Sequence, residues 1–252
     1  SREVRRVMAS AEGVDAALWE RLVREMDLAA LALPAAHGGA GFGAAELMVV
    51  QEELGRALAC VPFFSTIVQS AQLLAALDDK AVNEECLPAI AQGRLRVALA
   101  ATEADGLWES RTPATRARRE GKGWVLEGAK SFVVDGLGAG MMLVTAQAAE
   151  GLSVFAVAAD APGLTRQALP VLDATRPMAE LHLHAVPARL IGFAGGAGAA
   201  LAHAHDLALV ALAAELLGVA QRCLEMSTEY AKVRYQFGRP IGSFQAIKHK
   251  CA

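Results

Sequence analysis

The segment from Arg234 to Lys250, RYQFGRPIGSFQAIKHK, carries the residue types best suited to hold a ligand. Basic residues stand at both ends, and an aromatic-Gly-basic-Pro turn runs from Phe237 to Pro240. A guanidinium group can fork onto anionic oxygens, and an aromatic ring offers an apolar face. This composition indicates a specific contact, either within the chain or with a neighbour.

Two glycine-rich segments are weaker candidates for phosphate binding. Residues 38–43, GGAGFG, look like a dinucleotide loop, but a Pro-containing segment precedes them where a strand is required. Residues 194–198, AGGAG, precede a predicted helix, whose first N–H groups could attract an anion. We favour a turn between helices for residues 38–43 and an ordinary linker for residues 194–198.

The histidines do not form a pattern typical of a metal site. His182 and His184 alternate along a predicted strand and share a face, whereas His203 and His205 are two apart on a predicted helix and do not. No third ligand joins either pair, so polar, outward-facing histidines are favoured and no metal is expected. The sequence also lacks GxSxG, HExxH and Walker motifs.

Composition favours a soluble globular protein. The chain has 252 residues, of which 54% are hydrophobic and 20% charged, with a net charge of −3. No nucleic-acid partner is indicated by this charge. The N-terminus lacks the apolar core of a signal peptide, and residues 207–220 are too short and too polar for a membrane span. Four scattered cysteines are typical of reduced thiols in a cytoplasmic protein.

Hydrophobic periodicity predicts three regions. Four helices are predicted over residues 14–31, 44–58, 65–77 (with Ser65 as N-cap) and 78–93. Short alternating segments separated by Gly, Asp and Pro follow, without helical patterns between them, so an antiparallel β-domain is predicted. A long apolar helix then runs over residues 199–233.

The predicted fold class is therefore α+β, in three parts. An N-terminal helical domain covers residues 1–93, a middle antiparallel β-domain 94–192, and the start of a C-terminal helical domain 193–252. Because the chain ends in a helical pattern after a helix that needs partners, we expect a further helical segment outside this sequence.

The opening motif resembles the acyl-CoA dehydrogenase family. RYQFGRPIGSFQ follows a long helix, as in that family, and the resemblance continues upstream. Residues 31–41, LALPAAHGGAG, and 52–57, EELGRA, are similar to its N-terminal domain. Residues 98–103, ALAATE, and 123–136, GWVLEGAKSFVVDG, are similar to its flavin-contacting β-segments.

The resemblance implies the family's fold and reaction. That reaction dehydrogenates an acyl-CoA thioester between Cα and Cβ: a carboxylate takes the α-proton and FAD takes the hydride. Electrons then pass to an acceptor of the electron-transfer flavoprotein type.

The resemblance implies two flavin-contacting segments, at Leu99, Ala101, Thr102, Phe132, Val133 and Val134. Thr102 is expected to hydrogen-bond the isoalloxazine ring, and Phe132 to stack near it. Val134 replaces a threonine whose hydroxyl can bond the flavin, so one polar partner is lost.

The residues implied for substrate binding depart further from the family. A Gly-Ser-Asp that touches cofactor and CoA becomes Leu107-Trp108-Glu109, which brings a large rigid ring to a ligand contact. Asp206 stands where an aspartate helps hold CoA, and Leu209 where an arginine often stands. Ala208 occupies one position of the family's glutamate base, so no catalytic residue is identified; Glu215 is interpreted as a structural polar contact.

By contrast, the arm at Arg234, Gln236, Phe237, Phe244 and Gln245 is intact. The resemblance implies that this arm crosses a subunit interface and contacts the adenosine and pyrophosphate of FAD held mainly by a neighbour. Arginine suits this role because its guanidinium group binds phosphate oxygens in pairs.

Three hypotheses follow. In the first, the chain is a degenerate subunit that completes the FAD site of an unlike partner, as in actinobacterial complexes that act on steroid-derived or other bulky acyl-CoAs. In the second, it forms an active homomer, dimer or tetramer, with its glutamate outside this sequence. In the third, it binds acyl-CoA without redox chemistry. The first is favoured.

Overall fold

A computed structural model describes residues 2–108 and 112–252. Helical segments make up both ends of the chain. They are α1 (Arg2–Met8), α2 (Ala16–Arg24), α3 (Ala44–Ala57), a π-helix (Phe64–Ala71), α4 (Gln72–Leu77), α5 (Lys80–Ala91), α6 (Gly198–Val233) and α7 (Gln245–Cys251). The strands are β1 (Val97–Ala100), β2 (Arg116–Glu120), β3 (Gly123–Val134), β4 (Met141–Ala148), β5 (Gly151–Ala158), β6 (Leu164–Leu169), β7 (Met178–Ile191), β8 (Tyr235–Gln236) and β9 (Arg239–Pro240).

The middle strands form a closed barrel. Neighbours run β4-β2-β3-β7-β5, and β5 pairs back with β4, while β6 adds to β7. Most pairs are antiparallel, as predicted, but β1 and β2 both pair parallel with β4. This departure arises because the chain continues from β1 to β2 along one edge of β4, so both strands run in the direction of β4.

Two hydrophobic cores flank the barrel wall. Alternating strand residues point inward and fill the barrel with Trp124, Leu126, Val133, Met142, Phe155 and Leu181. Residues of the opposite face pack against the helices, in a second core that includes Leu33, Leu47, Ile67, Leu74, Leu143 and Ala208. The barrel therefore supplies a rigid surface on which the helices rest.

Two helix predictions were wrong in detail. The helix predicted over residues 14–31 ends at Arg24, and Asp27 adopts a left-handed backbone with φ of 52°. Ser65 is not an N-cap, because it lies inside the π-helix and its hydroxyl donates to Asp135 Oδ2 at 2.5 Å. Asp79 does cap α5, accepting from the Val82 N–H at 3.2 Å.

The length argument against a membrane span does not hold for α6. This helix has 36 residues, and an 18-residue window within it has a mean hydropathy of 1.7, so by length and composition it could cross a membrane. In the structure α6 packs on α3, and Arg56 of α3 forms an ion pair with Glu225 of α6 at 2.6 Å. Glu215 is paired with Arg176 and accepts from Gln51, which agrees with the structural role predicted for it.

Close contact between α3 and α6 depends on two glycines. A Cβ at Gly55 would overlap the backbone oxygen of Glu215, and a Cβ at Gly218 would overlap the backbone oxygen of Glu52. Both helices can approach only because these positions carry no side chain.

We expect Gly218→Ala to destabilise the protein by roughly 1–3 kcal/mol, because the added methyl must push α3 and α6 apart. Gly198→Ala is the matched control on the same helix, since a Cβ there meets no atom within 4 Å. Urea denaturation of both variants measures the difference. Equal stability of the two variants would contradict the close-contact explanation.

Candidate functional site

A cavity of 880 Å³ lies between the barrel, the π-helix and the first turns of α6. Most of the residues predicted for cofactor and substrate binding line it: Leu99, Ala101, Thr102, Trp108, Phe132, Val134, Asp206 and Ala208. The rest of the wall is mainly apolar or small, with Leu152, Met178, Gly195, Gly198, Ala199 and Ala202. The volume falls within the range of ligand-binding cavities.

The five predicted residues of the C-terminal arm do not border this cavity, and neither do Val133 and Leu209. Val133 is 1% exposed and its side chain belongs to the barrel core. Leu209 is 47% exposed on α6 and is not part of the cavity wall. Glu109, where the resemblance expects an aspartate, lies outside the described residues.

A bulge in β3 presents Phe132 to the cavity. Between the pairs Lys130–Leu181 and Val133–Ala179, β3 advances by three residues while β7 advances by two. Phe132 lies in this extra step with a left-handed φ of 57°, and its side chain is 45% exposed. Such a backbone is costly for a bulky residue and persists only where the surroundings impose it, often at functional sites.

A buried ion pair holds the strand ends beside the cavity. Lys130 Nζ donates to Glu103 Oε1 at 2.8 Å, to Thr145 Oγ1 at 3.1 Å and to the Ala101 carbonyl at 3.3 Å. The Thr115 N–H also donates to Glu103 Oε1, at 2.9 Å. The cluster therefore joins the segment after β1 to β3 and β4 and to the start of β2.

The electrostatics of this cluster follow from burial and hydrogen bonding. Burial alone would raise the pKa of Glu103, but hydrogen bonds from Lys130 and from the N–H groups of Thr115 and Ala114 lower the pKa to about 2. Burial lowers the pKa of the Lys130 ammonium, against the raising effect of Glu103. In the sequence, Glu103 and Lys130 stand out only as members of two separate motifs. Their ion pair forms only when the fold places β3 beside the segment after β1.

Asp135 links the barrel to the helices just beyond the cavity wall. Its carboxylate is buried and accepts from the Ser65 hydroxyl of the π-helix. Burial raises the pKa of Asp135 to about 6, although the Ser65 hydrogen bond and the Arg176 charge act to lower it.

His205 is a cavity residue that the sequence analysis missed. It was interpreted as an outward-facing polar residue, but α6 turns it toward the cavity, where its ring lies 5.4 Å from that of Trp108 with the planes at 80°. Its position four residues after Leu201 and three before Ala208, which both line the cavity, is the helical signal that could have found it. Among the described residues, no group of three or more His, Cys, Asp or Glu side chains could hold a metal ion.

The C-terminal arm is a short hairpin of β8 and β9 that ends on a 3₁₀ turn. Ile241 N–H donates to the Arg234 carbonyl at 2.8 Å, and Phe237 takes a left-handed φ of 53° at the tip, with its side chain 92% exposed. The guanidinium of Arg239 lies 4.1 Å from the ring centre of Phe244, so an internal cation–π contact braces the hairpin.

The arm is remote from the cavity of its own chain. Gly242 packs against Ala231 near the end of α6, whereas Ala208 lies in the cavity wall. At 1.5 Å per residue, Ala208 and Ala231 are roughly 35 Å apart along the helix. Arg234 and Phe237 therefore cannot contact a ligand at the cavity wall formed by Ala208.

Three family models match the chain in succession. The acyl-CoA dehydrogenase N-terminal domain matches residues 2–94, the middle domain residues 98–186 and the C-terminal domain residues 194–252. The chain belongs to the acyl-CoA dehydrogenase family. Its three-part fold, with helical ends and a middle β-domain, is that of this family, as the resemblance implied.

Curated relatives of this acyl-CoA dehydrogenase chain include mycobacterial proteins. It is 34% identical to acyl-CoA dehydrogenase IpdE2 of Mycobacterium tuberculosis, over 99% of the chain and 64% of that relative. It is 33% identical to acyl-CoA dehydrogenase FadE27 of the same organism, over 94% of the chain and 62% of the relative. The chain thus spans just under two thirds of the length of these relatives.

Solved structures similar to the chain include two complexes. The Tcur3481-Tcur3483 steroid ACAD G363A variant is 39% identical with a TM-score of 0.87, over 99% of this chain and 66% of that one. The ChsE4-ChsE5 complex of Mycobacterium tuberculosis is 31% identical with a TM-score of 0.87, over 98% and 66%. Butyryl-CoA dehydrogenase of Megasphaera elsdenii shares the fold at 23% identity and a TM-score of 0.87, over 94% and 66%.

We expect Lys130→Met to destabilise the protein by roughly 3 kcal/mol at pH 7, because it leaves the Glu103 carboxylate without its buried cation. The pKa of Glu103 is lowered in the folded state, so its stabilisation is present above pH 4.5 and is lost as the pH falls toward 2. The difference in unfolding free energy between the parent and Lys130→Met should therefore shrink below pH 4.5. Lys122→Met, at an exposed lysine of the β2–β3 turn, is the control. A deficit that is unchanged at pH 3 in denaturant titrations would contradict the role of the pair.

We expect Asp135→Asn to flatten the pH dependence of stability between pH 4 and 6. The folded protein binds the proton of Asp135 more tightly than the unfolded chain, so this group costs stability as the pH rises from 3.8 to about 6. Asparagine keeps an oxygen that accepts from Ser65. Urea titrations at several pH values give the difference in unfolding free energy between the parent and Asp135→Asn. This difference should change by roughly 1–3 kcal/mol across this window. Asp160→Asn, at an exposed turn, should leave the pH dependence of the parent unchanged.

Proposed function

We propose that the chain is a subunit of an FAD-dependent acyl-CoA dehydrogenase and that its C-terminal arm completes the FAD site of an unlike partner subunit. The observation that carries this proposal is the position of the arm. Arg234, Gln236 and Phe237 are exposed at the far end of α6, roughly 35 Å from the cavity wall of their own chain. Residues arranged in this way cannot reach the cavity wall at Ala208, which supports a role at a ligand held by a neighbouring subunit.

The arm fits the phosphate-bearing part of such a cofactor. Arg234 and Arg239 place two guanidinium groups on one hairpin, and Phe237 presents an exposed ring at its tip, in edge-to-face contact with Phe244. The bracing contact between Arg239 and Phe244 fixes the hairpin before it meets a ligand, which lowers the entropy lost on binding. In this proposal Phe244 positions the arm, and Arg234 and Gln236 bind.

The chain's own cavity suits a flat ring in shape but offers few polar anchors. Phe132 holds an exposed ring on its wall, and Thr102 supplies a hydroxyl and backbone groups. The Thr145 hydroxyl is already bonded to Lys130 and to the Ala101 carbonyl, and Val134 has no hydroxyl. On the barrel side of the cavity a flavin ring would therefore find few free side-chain hydrogen-bond partners, which supports a degenerate cofactor site.

The proposed reaction removes hydrogen from Cα and Cβ of an acyl-CoA thioester. A bound FAD would supply hydride acceptance, and electrons would leave to an acceptor of the electron-transfer flavoprotein type. In this chain Ala208 cannot take the α-proton, so the base is proposed to come from the partner subunit. The similar structures include a complex described as a steroid ACAD, which supports a steroid-derived or similarly bulky acyl group.

The alternative is a homomeric dehydrogenase, dimer or tetramer, whose glutamate base lies in a C-terminal segment outside this sequence. The cavity volume of 880 Å³ favours it, since a collapsed site would leave no such space. A cytoplasmic location is part of either proposal and agrees with four free thiols.

We expect Arg234→Ala, in the chain co-expressed with its partner subunit, to lower FAD occupancy of the purified complex. Loss of a charge-assisted hydrogen bond to phosphate weakens binding by about 10- to 100-fold. Flavin absorbance relative to protein absorbance measures the occupancy. Arg24→Ala, at an exposed arginine of α2, is the control and should keep the parent value.

Unchanged occupancy in Arg234→Ala would reject the role of the arm. A chain that purifies alone with bound FAD and dehydrogenase activity would reject the unlike-partner proposal in favour of the homomer.

A further inference from the structure

The π-helix Phe64–Ala71 borders the cavity through Gln69. Helices of this type are rare, and where they occur they are frequently found at functional sites. This one is anchored to β1, because the Thr66 hydroxyl donates to the Val97 carbonyl and accepts from the Val97 N–H, both at 3.1 Å. Gln69 therefore enters the cavity wall from a support that is held against the barrel.

The side chain of Gln69 differs from the other polar side chains of the π-helix and α4. Within the part of the chain that the structure describes, each of those donates a hydrogen bond to another segment, whereas the Gln69 amide has no protein partner. The bonded side chains are Ser65 to Asp135, Thr66 and Ser70 to the Val97 carbonyl, and Gln72 to the Ala32 carbonyl. A structural role thus accounts for every polar side chain of this helical stretch except the one in the cavity wall.

The Gln69 amide belongs to a cavity wall that is largely apolar. The apolar side chains of this wall include Leu99, Val134, Leu152, Met178 and Leu201. A purely hydrocarbon ligand that displaces water from the amide leaves the amide without hydrogen-bond partners, which costs binding free energy. A ligand with an oxygen at that point restores the hydrogen bond, so such a site discriminates in its favour.

We infer that Gln69 is a specificity-determining residue whose side-chain N–H donates to an acceptor oxygen, such as that of a ketone, on the acyl group held in the cavity. The residues proposed to contact a flavin ring, Thr102 and Phe132 among them, belong to the barrel side, so we assign the amide of the π-helix to the acyl group. This inference rests on the acyl-CoA binding contained in the proposed function. It adds a chemical group that the acyl portion carries, independent of its bulk.

The test compares octanoyl-CoA with the three derivatives that carry a ketone at the fifth, sixth or seventh carbon of the chain. Isothermal titration calorimetry on the full chain, with its partner subunit where one is co-purified, gives the dissociation constant of each ligand. We expect the parent to bind at least one ketone derivative about tenfold more tightly than octanoyl-CoA, and Gln69→Leu to remove that preference. The variant should bind octanoyl-CoA at least as tightly as the parent does, because it has no amide to leave without a partner.

Gln167→Leu is the matched control, since it makes the same change at an exposed position of β6 outside the cavity wall and should keep the preference of the parent. Gln69→Leu should also keep the stability of the parent in urea titrations, because the Gln69 amide bonds no protein group among the described residues. Gln69→Met, which removes the same amide, carries the test if Gln69→Leu does not fold.

A ketone preference that survives in Gln69→Leu overturns the inference, and so does a fall in its flavin absorbance, which would assign the amide to FAD. A parent that binds octanoyl-CoA without preferring any ketone derivative also overturns it, while acyl-CoA binding in the proposed function stands. A parent that binds none of the four ligands contradicts acyl-CoA binding itself, and the inference fails with it; the FAD occupancy test of Arg234 is independent of that outcome.

Discussion

The buried pair of Lys130 and Glu103 is the interaction on which the site depends. It holds the segment that carries Ala101 and Thr102 against β3 and β4, and without it three strand ends would lose their common anchor. A buried ion pair is not by itself strong support for high stability, since its desolvation cost offsets much of the attraction. Its contribution here is geometric, because it fixes where the cavity wall begins.

The helical side of the site depends on a different constraint, the absence of side chains at Gly55 and Gly218. These glycines let α6 lie directly on α3, and the ion pair between Arg56 and Glu225 adds a polar tie along the same contact. Because α6 is one continuous helix, this contact sets both of its ends at once. One end lies at the cavity, and the other carries the arm away from it.

The two ends of α6 differ in their side-chain chemistry. The arm carries two arginines, an exposed phenylalanine and an internal cation–π contact, while Val134 and Ala208 in the cavity wall carry neither a hydroxyl nor a carboxylate. The cavity has a volume of 880 Å³, and Trp108 and His205 form an aromatic pair in its wall. This difference supports the proposal that the chain acts with a partner subunit, and the chain is similar to the ChsE4-ChsE5 complex.

The sequence by itself determined the order of domains, the long helix and the motif of the arm, because these follow from local periodicity and from residue types that adjoin in the chain. Through the resemblance it also identified eight residues of the cavity wall, fewer than half of those that line it. Tertiary structure decided the rest. Ser65 was predicted to cap a helix, but its hydroxyl found a buried carboxylate from the barrel. His205 was predicted to face outward, but the face that a helix buries is set by what packs against it. Val133 was assigned to the flavin, but the bulge in β3 turns it into the core. Each of these outcomes depends on contacts between residues far apart in the chain, and local pattern contains no information about such contacts.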